Sequence, residues 1–110
     1  MAETLKVLGQ LAAAATTAET LYSVPPATTA VVSSIVVCNR GATATTFRLS
    51  ISVPPDGTEA TKQYLYYDVA LPANDTFVCT LGISLGAVNL IRTYAGAAQV
   101  SFTAFGEEVT

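Results

Sequence analysis

The sequence predicts an all-β fold: an antiparallel β-sandwich of about eight strands, with jelly-roll or Greek-key connections. Three observations predict it. Runs rich in Val, Ile, Thr, Tyr and Phe recur along the chain, and each is closed by a cluster of Pro, Gly, Asn or Asp. Several runs alternate apolar and polar residues, the period of a half-buried strand. No helical pattern is long enough to carry a crossover between parallel strands. Two packed antiparallel sheets are the economical way to bury such faces. With 110 residues and no internal linker or repeat, the chain reads as one domain over 1–110, with residues 1–18 as a candidate N-terminal arm.

Leu5–Leu8 can open the fold as a strand. Residues 10–19 are read as a loop, with a short helix as the alternative. Alanines and the spacing of Leu11, Ala15, Ala18 and Tyr22 favour helix, but Thr16-Thr17 opposes it. Leu21–Val24 is a strand and Pro25-Pro26-Ala27 a break. The run from Thr29 to Cys38 is apolar on both faces, which places it centrally or under a partner. Asn39–Ala42 is a turn.

Phe47, Leu49, Ile51 and Val53 alternate with Thr46, Arg48, Ser50 and Ser52, giving one buried and one wet or partner-facing side. Pro54-Pro55-Asp56-Gly57-Thr58 is a turn. In the run Lys62–Leu71, Leu65, Tyr67, Val69 and Leu71 share one face, and Tyr64, Tyr66, Asp68 and Ala70 the other. After the turn at Pro72–Asp75, Phe77, Cys79 and Leu81 point inward, and Gly82–Gly86 is a compact connection. Val88, Leu90, Arg92 and Tyr94 alternate with Asn89, Ile91 and Thr93. Ala95-Gly96-Ala97 reads as a hairpin tip, and Gln99–Phe105 as the last strand before an acidic end, Gly106-Glu107-Glu108.

Charged residues make up only 12% of the chain, against about 25% in ordinary domains. Thr, Ser, Ala, Asn and Gln must therefore form much of the surface, which suits a chain partly covered by other subunits. Net charge is −3, and Lys6, Arg40, Arg48, Lys62 and Arg92 are scattered along the sequence. A nucleic-acid partner, which needs clustered basic residues, is not expected. No membrane partner is expected either, because the longest apolar run, Leu11–Ala15, is far short of the ~20 residues of a span. The start, Met-Ala-Glu-Thr, lacks the basic and apolar regions of a secretory signal, so synthesis and use without a cleaved leader are expected.

The chain contains no histidine, the commonest general base and metal ligand. Cys38 and Cys79 cannot fill a four-ligand zinc site, and no nucleophile elbow or phosphate loop occurs. No catalytic, cofactor-binding or metal residues are therefore assigned, no cofactor is expected, and the chain is not read as an enzyme. The two cysteines lie inside strand-like runs and read as small buried hydrophobes. A Cys38–Cys79 disulfide bridging two sheets is the alternative. Adjacent Tyr66 and Tyr67 must point to opposite faces, so one ring leaves the core. Tyr64 with Tyr66 could form an outer ring platform able to anchor a protein or stack on a sugar. Leu5, Val7, Leu11, Tyr64, Tyr66 and Tyr94 are the candidate interface residues.

The run Val32-Ser33-Ser34-Ile35-Val36-Val37-Cys38-Asn39-Arg40-Gly41-Ala42-Thr43-Ala44-Thr45-Thr46-Phe47-Arg48 resembles small virion proteins of tailed bacteriophages. Lys6–Gln10, Leu21–Pro25, Tyr66-Tyr67-Asp68 and Asn74–Phe77 are similar too. The resemblance spans most of the chain, and its motifs are strand edges and turns. It implies an accessory structural component: a capsid decoration or cement protein, or a tail- or fibre-associated part that recognises a host glycan or receptor. A secreted carbohydrate-binding domain unrelated to phage is a third reading. The expected partners are copies of the chain itself, as a symmetric homo-oligomer and first of all a trimer, and the major capsid protein or other virion proteins. The expected location is the virion, the capsid surface before the tail, after synthesis in the host cytoplasm.

Overall fold

The computed structural model describes residues 2–53 and 61–110. The chain forms an antiparallel β-sandwich of one five-stranded and one four-stranded sheet. The strands are β1 (Glu3–Ala12), β2 (Glu19–Ser23), β3 (Thr29–Asn39), β4 (Thr45–Ser52), β5 (Tyr64–Leu71), β6 (Thr76–Cys79), β7 (Ile83–Leu85), β8 (Leu90–Ala95) and β9 (Val100–Val109). The larger sheet runs β1-β9-β3-β6, with β7 also on β3, and the smaller runs β2-β8-β4-β5. The expected turn over Pro54–Thr58 lies outside the described residues.

Nine described strands replace the eight expected, because the connection Gly82–Gly86 itself holds β7, whose Ile83 and Leu85 are buried. Residues 10–12 are strand, not loop or helix: β1 pairs with β9 along its whole length, from Glu3↔Val109 to Ala12↔Ser101. Pairing with a neighbour overrides the helix preference of alanine here. Residues 2–18 are thus largely an integral edge strand followed by a crossing loop. The acidic end also belongs to a strand, since β9 continues through Glu107 and Glu108 to Val109. Ala95 ends β8 and the chain bends at Gly96-Ala97, but this is not a hairpin tip, because β8 and β9 lie in different sheets.

The core lies between the sheets. Phe47, Leu49 and Ile91 from the smaller sheet face Ile35, Val37, Phe102 and Ala104 from the larger one. Phe47 has no exposed surface, and its ring lies 5.3 Å from Phe77, 6.2 Å from Tyr66 and 6.4 Å from Phe102. Burying such a ring contributes about 2 kcal/mol, and the tilted contacts add a smaller amount. At one end of the sandwich the buried Asn39 amide donates to the carbonyls of Thr43, Leu71 and Pro72, while its oxygen accepts from the Gly41 N–H. One side chain thereby ties the β3–β4 turn to the β5–β6 turn.

At the other end the Tyr22 hydroxyl on β2 donates to Glu108 on β9 at 2.5 Å, and Lys6 on β1 reaches the same carboxylate at 3.2 Å. The Tyr22 bond, then Lys6, hold the Glu108 carboxyl below the usual range against the opposing effect of burial. Burial, then Glu108, push the Tyr22 hydroxyl well above its usual value.

Bulges shape the larger sheet. β1 slips register between Val7 and Gly9, and β3 between Val32 and Ser34, both beside Phe105 and Gly106 of β9. The backbones crowd there. A Cβ on Gly106 would meet the Val31 carbonyl oxygen at 2.1 Å, and one on Gly9 would meet that of Leu21 at 2.2 Å.

Gly106→Ala should therefore lower stability by about 1–3 kcal/mol, whereas Gly82→Ala, with open space around it, should stay within about 0.5 kcal/mol; urea denaturation measures both. The Tyr22–Glu108–Lys6 contact gives a pH signature. Glu108 titrates lower in the folded chain, so its contribution is present above the ordinary glutamate value and is lost as pH falls through the folded value. Tyr22 titrates higher when folded, so its contribution is present below the ordinary tyrosine value and fades in strong alkali. The stability gap between the native chain and Tyr22→Phe should be widest near neutral pH and narrow toward acid, measured by denaturation across pH.

Candidate interaction surfaces

The outer face of the smaller sheet carries an aromatic and cationic cluster. Arg48 (β4) lies between two rings, its guanidinium carbon 4.2 Å from the centres of both Tyr67 (β5) and Tyr94 (β8). Its Nε donates to Asp68 Oδ1 at 2.6 Å and its Nη2 to Oδ2 at 3.3 Å, a two-bond fork. That hydrogen bonding to Asp68 raises the Arg48 pKa, and the same contact lowers that of Asp68. Tyr64 packs edge-on against Tyr67 at 4.9 Å, and Arg92 donates to Thr20 at 2.6 Å in the adjoining row. Three of the chain's five tyrosines and two of its five basic residues thus share one face.

A bulge builds this cluster. Phe47 pairs with Val69 and Leu49 with Tyr66, so Tyr67 and Asp68 together stand opposite Arg48. Asp68 takes a positive φ of 50°, which an Asp tolerates better than most residues. This insertion, with a second at Leu65 between the pairs Leu49↔Tyr66 and Ser50↔Tyr64, resets the alternation along β5. Val69 and Leu71 keep the inward positions expected for them, but Leu65 and Tyr67 point out. Tyr66, expected outside with Tyr64, packs inward on Phe47 and Phe77 instead, and its hydroxyl meets the Cys79 thiol, which raises its pKa. Tyr67, 57% exposed, takes the outer place. Tyr64 and Tyr94 do lie on the outer face. Alternation correctly sets Arg48 on the outer side but misses Tyr67, although Asp68 within a strand-like run is a signal for a bulge.

The larger sheet presents a different surface. Leu5 and Val7 of β1, Val31 of β3 and Phe105 of β9 line a shallow apolar groove, with Ser33 and Gly106 beside them and Lys6 and Glu107 at its margins. Leu5 is 82% exposed, Val7 46%, Val31 43% and Phe105 38%. Leu5 faces Glu107 across the strand pair, and Val7 faces Phe105. The third apolar residue expected here, Leu11, instead packs against the core. The one-residue slip after Val7 moves the later part of β1 into the opposite phase.

Cys38 and Cys79 are both free. They lie on neighbouring strands of the same sheet, with Cys79 opposite Ile35 and Cys38 opposite Thr76. Cys79 is buried with the inward residues, while Cys38 alternates with buried Val37 and Asn39 and so faces out. The two thiols point to opposite sides of one sheet, a geometry that no disulfide can span. A bridge between sheets is thereby excluded.

Among the described residues no three acidic or cysteine side chains gather as a metal site, and no helix is long and apolar enough to cross a membrane. No protein-family model, curated protein or solved structure matches this chain. The two sheet faces therefore supply the functional argument.

Arg48→Ala should release both rings that grip it. Collisional quenching of tyrosine fluorescence, free of interference in a chain without tryptophan, should rise in this variant. Asp68→Asn, which keeps the bulge backbone, should instead abolish the salt dependence that the ion pair gives to stability.

Proposed function

We propose that this chain is an accessory structural protein of a tailed-phage virion, a capsid decoration or cement subunit that adheres to the shell through the outer face of its five-stranded sheet. The observation that carries the reading is the contiguous apolar groove of Leu5, Val7, Val31 and Phe105 on a chain with only 12% charged residues. A contiguous exposed apolar patch of this kind marks a protein contact. Beside it the same face continues through Ser33, Ser34, Val36 and Cys38 of β3, small or hydroxyl-bearing residues that allow close approach of another surface. The resemblance to phage virion proteins supports the choice of partner, the major capsid protein. The role is adhesion rather than catalysis, and its driving force is apolar burial, at about 25 cal/mol per Å² before the costs of association.

A second reading, recognition of a host glycan or receptor, is favoured by the outward Tyr64, Tyr67 and Tyr94. It is the weaker of the two. Arg48 already covers one side of the Tyr67 and Tyr94 rings, and a sugar would need an open ring face.

The readings separate by experiment. Val31→Asp and Phe105→Asp should each reduce co-sedimentation of the purified chain with undecorated shells of the parent phage by about tenfold or more, while Tyr67→Ala leaves it unchanged. The opposite pattern, with glycan binding lost in Tyr67→Ala, would favour the second reading.

A further inference from the structure

The open edge of β1 is self-complementary. Ala2 and Thr110 exchange both backbone hydrogen bonds, at 3.0 and 2.9 Å, which fixes the phase of the β1–β9 ladder. Antiparallel pairs alternate between bonded and non-bonded. Thr4↔Glu108 and Lys6↔Gly106 are therefore bonded pairs, and Glu3, Leu5 and Val7 turn their N–H and C=O groups away from β9. Among the described residues β1 pairs with no strand but β9. Those groups thus form a row of donors and acceptors at the sheet edge, spaced every second residue.

We propose that a second copy of this chain pairs antiparallel along this edge, about a two-fold axis at Leu5. In that register Leu5 meets Leu5 of the other copy, and Glu3 and Val7 meet reciprocally. Every pair falls on residues whose backbone groups face outward, and each exchanges two hydrogen bonds. Within Glu3–Val7, a pairing centred on Thr4 would bond only Glu3 with Leu5, and one centred on Lys6 only Leu5 with Val7 while setting the two lysines opposite each other, so only the Leu5 register uses all three outward-facing residues.

Side chains agree with the backbone. Leu5, the most exposed large apolar residue described, gains a same-face neighbour about 5 Å away across the axis. The apolar stripe then runs unbroken from Phe105 through Val7 and Leu5 into the other copy. Lys6 stands opposite Thr4, and Thr4 is itself paired with Glu108. Each cation therefore meets a row that ends in a carboxylate rather than another cation.

Edge strands that stay single usually carry proline or outward lysine. β1 has no proline, and its one lysine is drawn back to Glu108. The register slip after Val7 ends the match, which limits the contact to one short, defined segment. The result is a single continuous sheet built from two five-stranded ones. It does not depend on attachment to a shell.

Sedimentation of the full chain from about 1 µM to 1 mM, together with amide hydrogen exchange, tests the proposal. A monomer–dimer equilibrium is expected. Protection of the Leu5 and Val7 amides should rise with concentration, while Thr4 and Lys6 stay protected throughout. Leu5→Pro removes an N–H that does not bond to β9 and should weaken the dimer by about tenfold or more. Leu5→Lys should do the same through repulsion at the axis, and Val78→Lys, on β6 at the far side of the same sheet, should have no effect. A chain that stays monomeric, forms a trimer, or dimerises without protecting Leu5 and Val7 overturns the proposal. So does a Leu5 variant that keeps Thr4 and Lys6 protected and dimerises unchanged. Should a variant disturb β1, the native chain's concentration-dependent protection decides alone.

Discussion

The ladder between β1 and β9 is the constraint on which the surface of this protein depends. It fixes which residues of the first strand look inward, which look outward, and which backbone groups remain available at the sheet edge. Three consecutive odd-numbered residues, Glu3, Leu5 and Val7, then present side chains to the outer face and backbone groups to the open edge. Had the register been one residue different, Lys6 and Leu8 would occupy that face, and the Lys6–Glu108–Tyr22 contact joining the two sheets could not form.

Bulges organise both faces. On the larger sheet, the slips in β1 and β3 flank Phe105 and Gly106, and the absent Cβ at Gly106 lets the Val31 carbonyl approach. The groove forms at that crowded point. On the smaller sheet, the extra residue in β5 turns Tyr67 and Asp68 to the outside together, where both meet Arg48. In each case inserted residues convert regular strands into a shaped surface.

The faces differ in chemical character, which suits them to different tasks. The tyrosine and arginine groups of the smaller sheet are satisfied among themselves, through a forked ion pair and two ring contacts. The groove of the larger sheet keeps its apolar atoms in water, and the edge beside it keeps backbone donors and acceptors there too. A surface with unspent apolar and backbone contacts is the one that gains most from a partner.

Much of the fold was legible in the sequence. Alternation at Phe47, Leu49 and Ile51, the turn residues at Asn39–Ala42 and Pro72–Asp75, and the shortage of helix patterns reflect local constraints: backbone preference, side-chain alternation and the need to bury one face. Those constraints specified an antiparallel sandwich and placed Leu5, Val7, Tyr64 and Tyr94 at the surface. They were silent on everything that depends on a neighbour. A turn looks the same whether it joins strands of one sheet or crosses to the other, so Ala95–Ala97 passed for a hairpin. A bulge shows only against the strand opposite, so Tyr66 and Leu11 were assigned to the wrong side and Tyr67 was overlooked. The fate of Cys38 and Cys79 likewise depended on which strands lie side by side and which way each thiol points. Periodicity is written within a segment, but register is a relation between segments, and only the assembled sheets could decide it.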